Sequence, residues 1–219
     1  MINKIKCVIF DLDGTLLNTI EDITDALNIA YKKNGLEPYS VKEVMYFVGS
    51  GVDLLIERSL NARSLSREYF NNVKSIYLTE YKKLQKNKTK PYEGIFEMLS
   101  LLKQRGLKMA VISNKPQIDT EEVIAYYFPK DIFTLVIGAK KEVPLKPNPE
   151  VVLAAMKELE VVAKETIYIG DSDIDMQTAI NANLTSIGCA WGFRTIEDLK
   201  KNKASYIVNH PQEIVNLIN

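Results

Sequence analysis

Three observations in the sequence predict an α/β fold, a parallel sheet with helices on both faces, interrupted by an all-helical insertion. Apolar runs of strand length, such as Cys7-Val8-Ile9-Phe10 and Leu107 to Ile112, are continuous rather than alternating, which marks strands buried on both faces. From Pro91 onward such runs alternate with helical patterns, and this alternation implies a parallel sheet with right-handed crossovers. Between roughly Thr19 and Lys90 the periodicity is helical throughout. That block therefore reads as an inserted domain, 19–90, with 1–18 and 91–219 forming the core.

The first strand, Ile5 to Phe10, stops at Asp11-Leu12-Asp13-Gly14-Thr15, two carboxylates one residue apart followed by a glycine that permits a sharp turn. Ile20, Ile23, Leu27, Ala30 and Tyr31 then recur at helical spacing, and Gly35 is placed to end that helix. Ser40-Val41-Lys42-Glu43 spells a capping box for a short helix carrying Val44 and Phe47. Val48-Gly49-Ser50-Gly51 is a turn into a helix with Leu54, Leu55 and Leu60. Tyr69, Phe70, Val73, Ile76, Tyr77, Tyr81 and Leu84 form the core stripe of a longer helix. Lys82, Lys83, Lys86, Lys88 and Lys90 read as its solvated end and a linker.

Phe96, Leu99 and Leu102 belong to a helix that Gly106 closes, and the strand from Leu107 to Ile112 ends at Ser113-Asn114-Lys115. Pro116 suits the first position of the next helix, which runs towards Tyr127. Phe133 to Ile137 is a third strand, and Lys146-Pro147-Asn148-Pro149 opens a helix containing Val152, Ala155, Met156 and Leu159. Thr166 to Ile169 is a strand ending at Gly170-Asp171-Ser172-Asp173-Ile174-Asp175. A helix through Ile180, a strand from Leu184 to Cys189 and a smaller βα tail complete the chain.

Composition narrows the function classes. Lys+Arg 28 against Asp+Glu 28 leaves no net field for a polyanion, so nucleic acid is not an expected partner. The apolar run that ends at Asp11 is too short for a signal sequence, and no run reaches membrane-spanning length. Cys7 and Cys189 lie in apolar runs without metal-ligand spacing and read as buried free thiols. A cytoplasmic protein fits. His210, the only histidine, reads as an exposed loop residue.

The chemistry gathers at strand ends, where ligands bind in open parallel sheets. Asp11 and Asp13, Ser113 and Asn114, and Asp171 and Asp175 follow three strands, and Lys146 opens a helix. Singly each has a plain alternative: a D-x-D-G run reads equally well as a turn, and Lys146 as a surface lysine before a Pro turn. Together, counting Asp173, they make five acids that repel one another unless a cation shares the site. The donors are hard oxygens without His or Cys, which favours Mg²⁺ over zinc. A hydroxyl, helix-start N–H groups and one lysine suit a phosphate. Phosphoryl transfer is the natural reaction class.

In this order, Asp11-Leu12-Asp13-Gly14-Thr15-Leu16, Ser113-Asn114-Lys115, Lys146-Pro147-Asn148-Pro149 and Gly170-Asp171-Ser172-Asp173-Ile174-Asp175 resemble the four motifs of the haloacid-dehalogenase superfamily. The resemblance implies a Rossmann-like core, a helical cap at the insertion and Mg²⁺ as cofactor. Asp11 would be the nucleophile, forming an aspartyl-phosphate, and Asp13 would serve as proton donor and then acceptor. Metal would be held by Asp11, the Asp13 backbone carbonyl and Asp171, with Asp175 orienting Lys146 or a water at the metal. Thr15, Ser113, Asn114 and Lys146 would face the substrate, Ser113 and Lys146 on its phosphoryl oxygens.

The finer resemblance is to phosphoglycolate phosphatases, from the Val48-Gly49-Ser50-Gly51 turn with Leu54, Leu55, Glu57 and Arg58, and from Ser113-Asn114-Lys115-Pro116. It implies a small phosphate ester as substrate and a monomer or homodimer. Gly49 and Arg58 would then meet the leaving group, although a plain interhelical turn and a solvent-exposed helix arginine are open alternatives. A haloacid dehalogenase should lack a carboxylate where Asp13 stands. A phosphomutase of the β-phosphoglucomutase type and a pyrophosphatase would use the same core, and a non-enzymatic phosphate-binding scaffold would be expected to have lost one of these groups.

Overall fold

The computed structural model describes residue 2 and residues 4–218. They divide into two compact units, Met1–Leu17 with Pro91–Asn219, and Asn18–Lys90. Along the chain, β1 (Cys7–Phe10) and β2 (Leu17–Asn18) precede the helices α1 (Ile20–Lys33), α2 (Val41–Phe47), α3 (Val52–Asn61) and α4 (Phe70–Leu84). Then β3 (Lys90–Pro91) pairs with β2 in a two-stranded sheet. The remainder alternates: α5 (Ile95–Gln104), β4 (Lys108–Pro116), α6 (Gln117–Tyr127), β5 (Leu135–Ala139), α7 (Glu150–Glu158), β6 (Thr166–Gly170), α8 (Asp173–Asn181), β7 (Thr185–Cys189), α9 (Ile196–Lys201), β8 (Tyr206–Val208) and α10 (Pro211–Leu217).

The expected parallel sheet is present, with strand order β5-β4-β1-β6-β7-β8 and parallel pairing throughout. β1 lies between β4 and β6, with Phe10 opposite Val111 on one side and Ile169 on the other. Its side chains alternate between two cores, as the pleat requires. Val8 and Phe10 pack on one face with Ile95, Met98, Leu99 and Leu102 of α5 and Ile214 and Val215 of α10. Cys7 and Ile9 pack on the other with Val152, Ala155 and Met156 of α7 and Ala179 of α8. Helices therefore cover both faces, and an α-helical insertion separates β1 from β4. Both cysteines are buried and free.

Several elements end elsewhere than their residue patterns suggest. β4 continues through Ser113, Asn114 and Lys115 to Pro116, which pairs with Ala139 of β5 after a register shift. The motif is thus strand rather than loop, and Pro116 caps α6 instead of starting it. Leu54, Phe96 and Ile180 are exposed; α3 and α5 bury the neighbouring Leu55 and Ile56, and Ile95 and Met98, instead.

In the helical unit, Ser40 and Glu43 form the expected capping box of α2, and Val73, Tyr77 and Tyr81 form the buried stripe of α4. Asp22 in the first turn of α1 is fully buried and accepts from the backbone N–H groups of Lys88 (3.0 Å) and Thr89 (2.8 Å) and from the Thr89 hydroxyl (2.8 Å). Among the described residues no helix is long and apolar enough to cross a membrane.

Candidate active site

The carboxyl ends of β4, β1, β6 and β7 are neighbours in the sheet, and the polar residues that follow them converge there. The Asp11 amide still bonds to Ile169 O (2.8 Å), continuing the β1–β6 ladder by one residue. Gly14 then takes φ +94°, a value open to glycine at little cost, and its N–H donates forward to Leu17 O (2.8 Å). This turn brings the Thr15 hydroxyl to Asp171 Oδ1, to which it donates at 3.1 Å. The second Asp171 oxygen accepts the Phe193 N–H at 2.7 Å.

Asp171 is also gripped sterically. A Cβ on Gly14 would lie 2.3 Å from Asp171 Oδ2, and one on Gly192 would lie 2.2 Å from Asp171 Cβ. Two glycines thus give backbone the close approach that fixes this carboxylate.

Past β6, Ser172 and Asp175 form the capping box that opens α8. Ser172 donates to Asp175 Oδ2 from its hydroxyl (2.6 Å) and its amide (3.1 Å), leaving Oδ1 directed at Lys146. Lys146 Nζ is 2.8 Å from Asp175 Oδ1 and 2.7 Å from Asp11 Oδ1, with its side chain 3% exposed. It is no surface lysine. The ring of Tyr168 lies 5.6 Å from Nζ, and its hydroxyl donates to Asp175 Oδ1 at 3.4 Å.

Asn114 holds the backbone of Lys146 at two points, accepting the Lys146 N–H at 2.9 Å and donating to the Lys146 carbonyl at 3.0 Å. Its amide is therefore committed to placing the lysine. The Ser113 hydroxyl, also buried, accepts the Lys115 N–H at 3.2 Å. Lys115 Nζ pairs with both oxygens of Asp13, at 2.9 and 3.0 Å.

The electrostatics follow from burial. Burial first, then the Asp175 charge, push Asp11 up to about 7, against the pull of Lys146. Burial and the charges of Asp175 and Asp11 also hold Asp171 well above the usual carboxylate range. Burial alone would lower Lys146, but Asp11 and Asp175 outweigh it and keep the ammonium charged.

Asp11, Asp171 and Asp175 each place a carboxylate oxygen within 4.8 Å of the others. Ionised together, the three buried acids would outnumber the single ammonium of Lys146, and all are hard oxygen donors, so the set fits a divalent cation. Asp175, with four donors on its two oxygens, is the best anchored of the three. The Asp13 side chain pairs with Lys115 and is not one of this trio, so only its backbone carbonyl remains as the expected donor.

Of the residues singled out from sequence, Asp11, Asp13, Thr15, Ser113, Asn114, Lys146, Asp171 and Asp175 come together at these strand ends. Asp173 does not join them; it is partly exposed and pairs with Arg194 at 3.1 Å. Gly49 and Arg58 belong to the helical unit. There Gly49 has φ +115°, and Arg58, half-buried, donates to Phe47 O (3.1 Å) and Ser50 Oγ (2.8 Å). Sequence reasoning gave no part to Lys115, Tyr168, Gly192 or Phe193. A strand continued through residue 115 would have flagged Lys115 as a residue of the sheet rather than of a loop.

The profile of the haloacid dehalogenase-like hydrolases matches residues 8–189. The phosphoglycolate phosphatase of Cereibacter sphaeroides is 31% identical over 217 residues, covering 96% of this chain and 96% of its own. That of Colwellia psychrerythraea is 31% identical over 201 residues, 90% of this chain and 89% of its own. A crystal structure described as a "putative phosphoglycolate phosphatase" from Lactobacillus delbrueckii subsp. bulgaricus superposes with TM-score 0.94 at 32% identity, over 98% of each chain. With a match over most of its length, this chain belongs to the haloacid dehalogenase-like hydrolases.

Proposed function

We propose that the protein is a Mg²⁺-dependent phosphatase of small phosphate esters, with 2-phosphoglycolate the leading substrate. The observation that carries this reading is the buried trio Asp11, Asp171 and Asp175, with Lys146 bridging Asp11 and Asp175. The relatives' names favour the substrate.

In this reading Asp11 attacks phosphorus, its O–P bond forming as the bond to the leaving alkoxide breaks, and the product is an aspartyl-phosphate. Asp13 gives the alkoxide its proton, then takes one from the water that attacks phosphorus and releases Asp11. Lys146 and Ser113 hold the phosphoryl oxygens, with Lys146 kept in place by Asp175 and Asn114. A Mg²⁺ held by Asp11, the Asp13 carbonyl and Asp171 would neutralise charge on the phosphoryl group. Thr15 acts through Asp171, to which it donates. Gly49 and Arg58 are the helical unit's candidates for reading the leaving group, Arg58 by holding the loop that contains Gly49.

Turnover of p-nitrophenyl phosphate and 2-phosphoglycolate, with and without EDTA, tests the proposal. It is supported by Mg²⁺-dependent release of phosphate that Asp11→Asn abolishes. Activity of Asp11→Asn within tenfold of wild type, or full activity after exhaustive chelation, would refute it.

A further inference from the structure

We infer that Lys115 is a specificity-determining residue: its ammonium binds a carboxylate carried on the same carbon as the ester oxygen of the leaving group. The inference rests on the phosphatase reading above and names the group that selects the substrate class. Three observations lead to it. Lys115 stands two residues beyond Ser113 on the same strand, its N–H donates to the Ser113 hydroxyl, and its ammonium reaches Asp13 at the end of β1. Its side chain is 4% exposed, so its charge acts within the site rather than being screened by solvent. It is also separate from the phosphoryl-binding lysine, which pairs with Asp11 and Asp175, whereas Lys115 pairs with Asp13.

Asp13 must come within about 2.7 Å of the leaving oxygen to pass it a proton. Lys115 Nζ lies 2.9 and 3.0 Å from the two Asp13 oxygens. The ammonium is therefore held against the very carboxylate that must reach the leaving oxygen. In an ester whose oxygen and carboxylate share one carbon, the carboxylate oxygens lie about 3 Å from the ester oxygen, given ordinary C–C and C–O lengths. Such a carboxylate falls within hydrogen-bond reach of Nζ. One placed a carbon further out, or a neutral tail, does not make this contact with Asp13 still at the leaving oxygen.

The experiment compares kcat/KM of wild type, Lys115→Met and Lys115→Arg on 2-phosphoglycolate, 2-phosphoglycerate, 3-phosphoglycerate and ethyl phosphate. Removing Lys115 also disturbs Asp13, which slows every ester, so the readout is the ratio between esters. The inference predicts that wild type prefers the first two esters over the last two. It also predicts that Lys115→Met lowers the 2-phosphoglycolate to ethyl phosphate ratio about tenfold to a hundredfold, as for one charged hydrogen bond, and that Lys115→Arg restores part of it. An equal loss on all esters, or a preference that survives in Lys115→Met, overturns the role of Lys115 while leaving the phosphatase reading intact. If neither variant folds, the wild-type series still decides, because 3-phosphoglycerate turned over as well as 2-phosphoglycerate overturns the geometry. Turnover of none of the four esters would instead bring down the phosphatase reading, and this inference with it.

Discussion

Gly192→Ala tests how far the site depends on the position of one carboxylate. The new Cβ would stand 2.2 Å from Asp171 Cβ and 2.5 Å from its Cγ, where ordinary contact begins at 3.4 Å. The shortfall is 3.4 − 2.2 = 1.2 Å. Asp171 cannot absorb this by rotating its end, because its Cβ is what is struck. Its carboxylate is further held by Thr15 Oγ1 and by Phe193 N–H, and the Gly14 backbone also approaches it closely. Either Asp171 or the loop after β7 must move by about that distance. A displacement of about 1 Å in a positioning group costs on the order of a hundredfold in rate, and overpacking costs about 1–3 kcal/mol in stability. Gly192→Ala should therefore lose about two decades in kcat and bind Mg²⁺ more weakly by calorimetry, while remaining folded. Gly106→Ala is the control. Gly106, unlike Gly192, has a positive φ, +75°, that an alanine adopts only with strain, but a Cβ there meets nothing within 4 Å, so the variant should lose stability and keep its activity. Gly192→Ala with wild-type kcat and Mg²⁺ affinity would refute the view that Asp171 is fixed by steric contact and needed there.

Asp11 sets a pH dependence. Its carboxyl titrates at about 7 in the folded chain against an ordinary 3.8, so its contribution to stability is full below about 4 and is lost as pH rises through about 7. In EDTA the thermal stability of Asp11→Asn should gain on wild type across that window, and a difference that is flat with pH would contradict the raised value. Mg²⁺ should close the gap by offsetting the charge, with affinity that rises as the proton leaves. Asp22→Ala strands the buried backbone N–H of Thr89 and the part-buried one of Lys88 and should cost about 3 kcal/mol in urea unfolding, so a loss under about 1 kcal/mol would mean that water replaces the carboxylate. Arg58→Ala, which removes donors from Phe47 O and Ser50 Oγ, should lower kcat/KM on 2-phosphoglycolate and ethyl phosphate alike. A loss confined to the carboxylate ester would instead make Arg58 a direct contact.

The fold was readable wherever its causes are local. Ser40 and Glu43 lie one helical turn apart, so their capping box is written in four consecutive letters. The continuous apolarity of Cys7 to Phe10 reports burial on two faces without reference to any partner. What the residues hid was set by distant pairing. β4 runs on to Pro116 because Ala139 of β5 pairs with it, and nothing near residue 113 records that. Lys115 meets Asp13 across 102 positions, and a lysine after Asn in a motif looks like any polar loop residue. Phe193 contributes only its amide, and Gly192 only the lack of a Cβ, so neither leaves a side-chain signature. The helical spacing of Phe96, Leu99 and Leu102 likewise does not say which of its neighbours is buried. Periodicity marks a helix face to within about one residue, and Ile95 beside Phe96 was the one the sheet covered.

The paired hydrogen bonds between the Asn114 side chain and the Lys146 backbone imitate the exchange between two strands. In effect the sheet gains one further rung, made by an amide side chain instead of a neighbouring strand. A rung of this kind specifies the position and direction of a single peptide unit and makes no demand on the chain leading to it. The exposed stretch from Lys140 to Leu145 is thus relieved of any duty in aiming the lysine. It can change its length or its letters and still deliver Lys146 to Asp11 and Asp175. Variation in this loop and invariance of the charge it carries are therefore compatible, and insertions before Leu145 should be absorbed where a single substitution of Asn114 would not be.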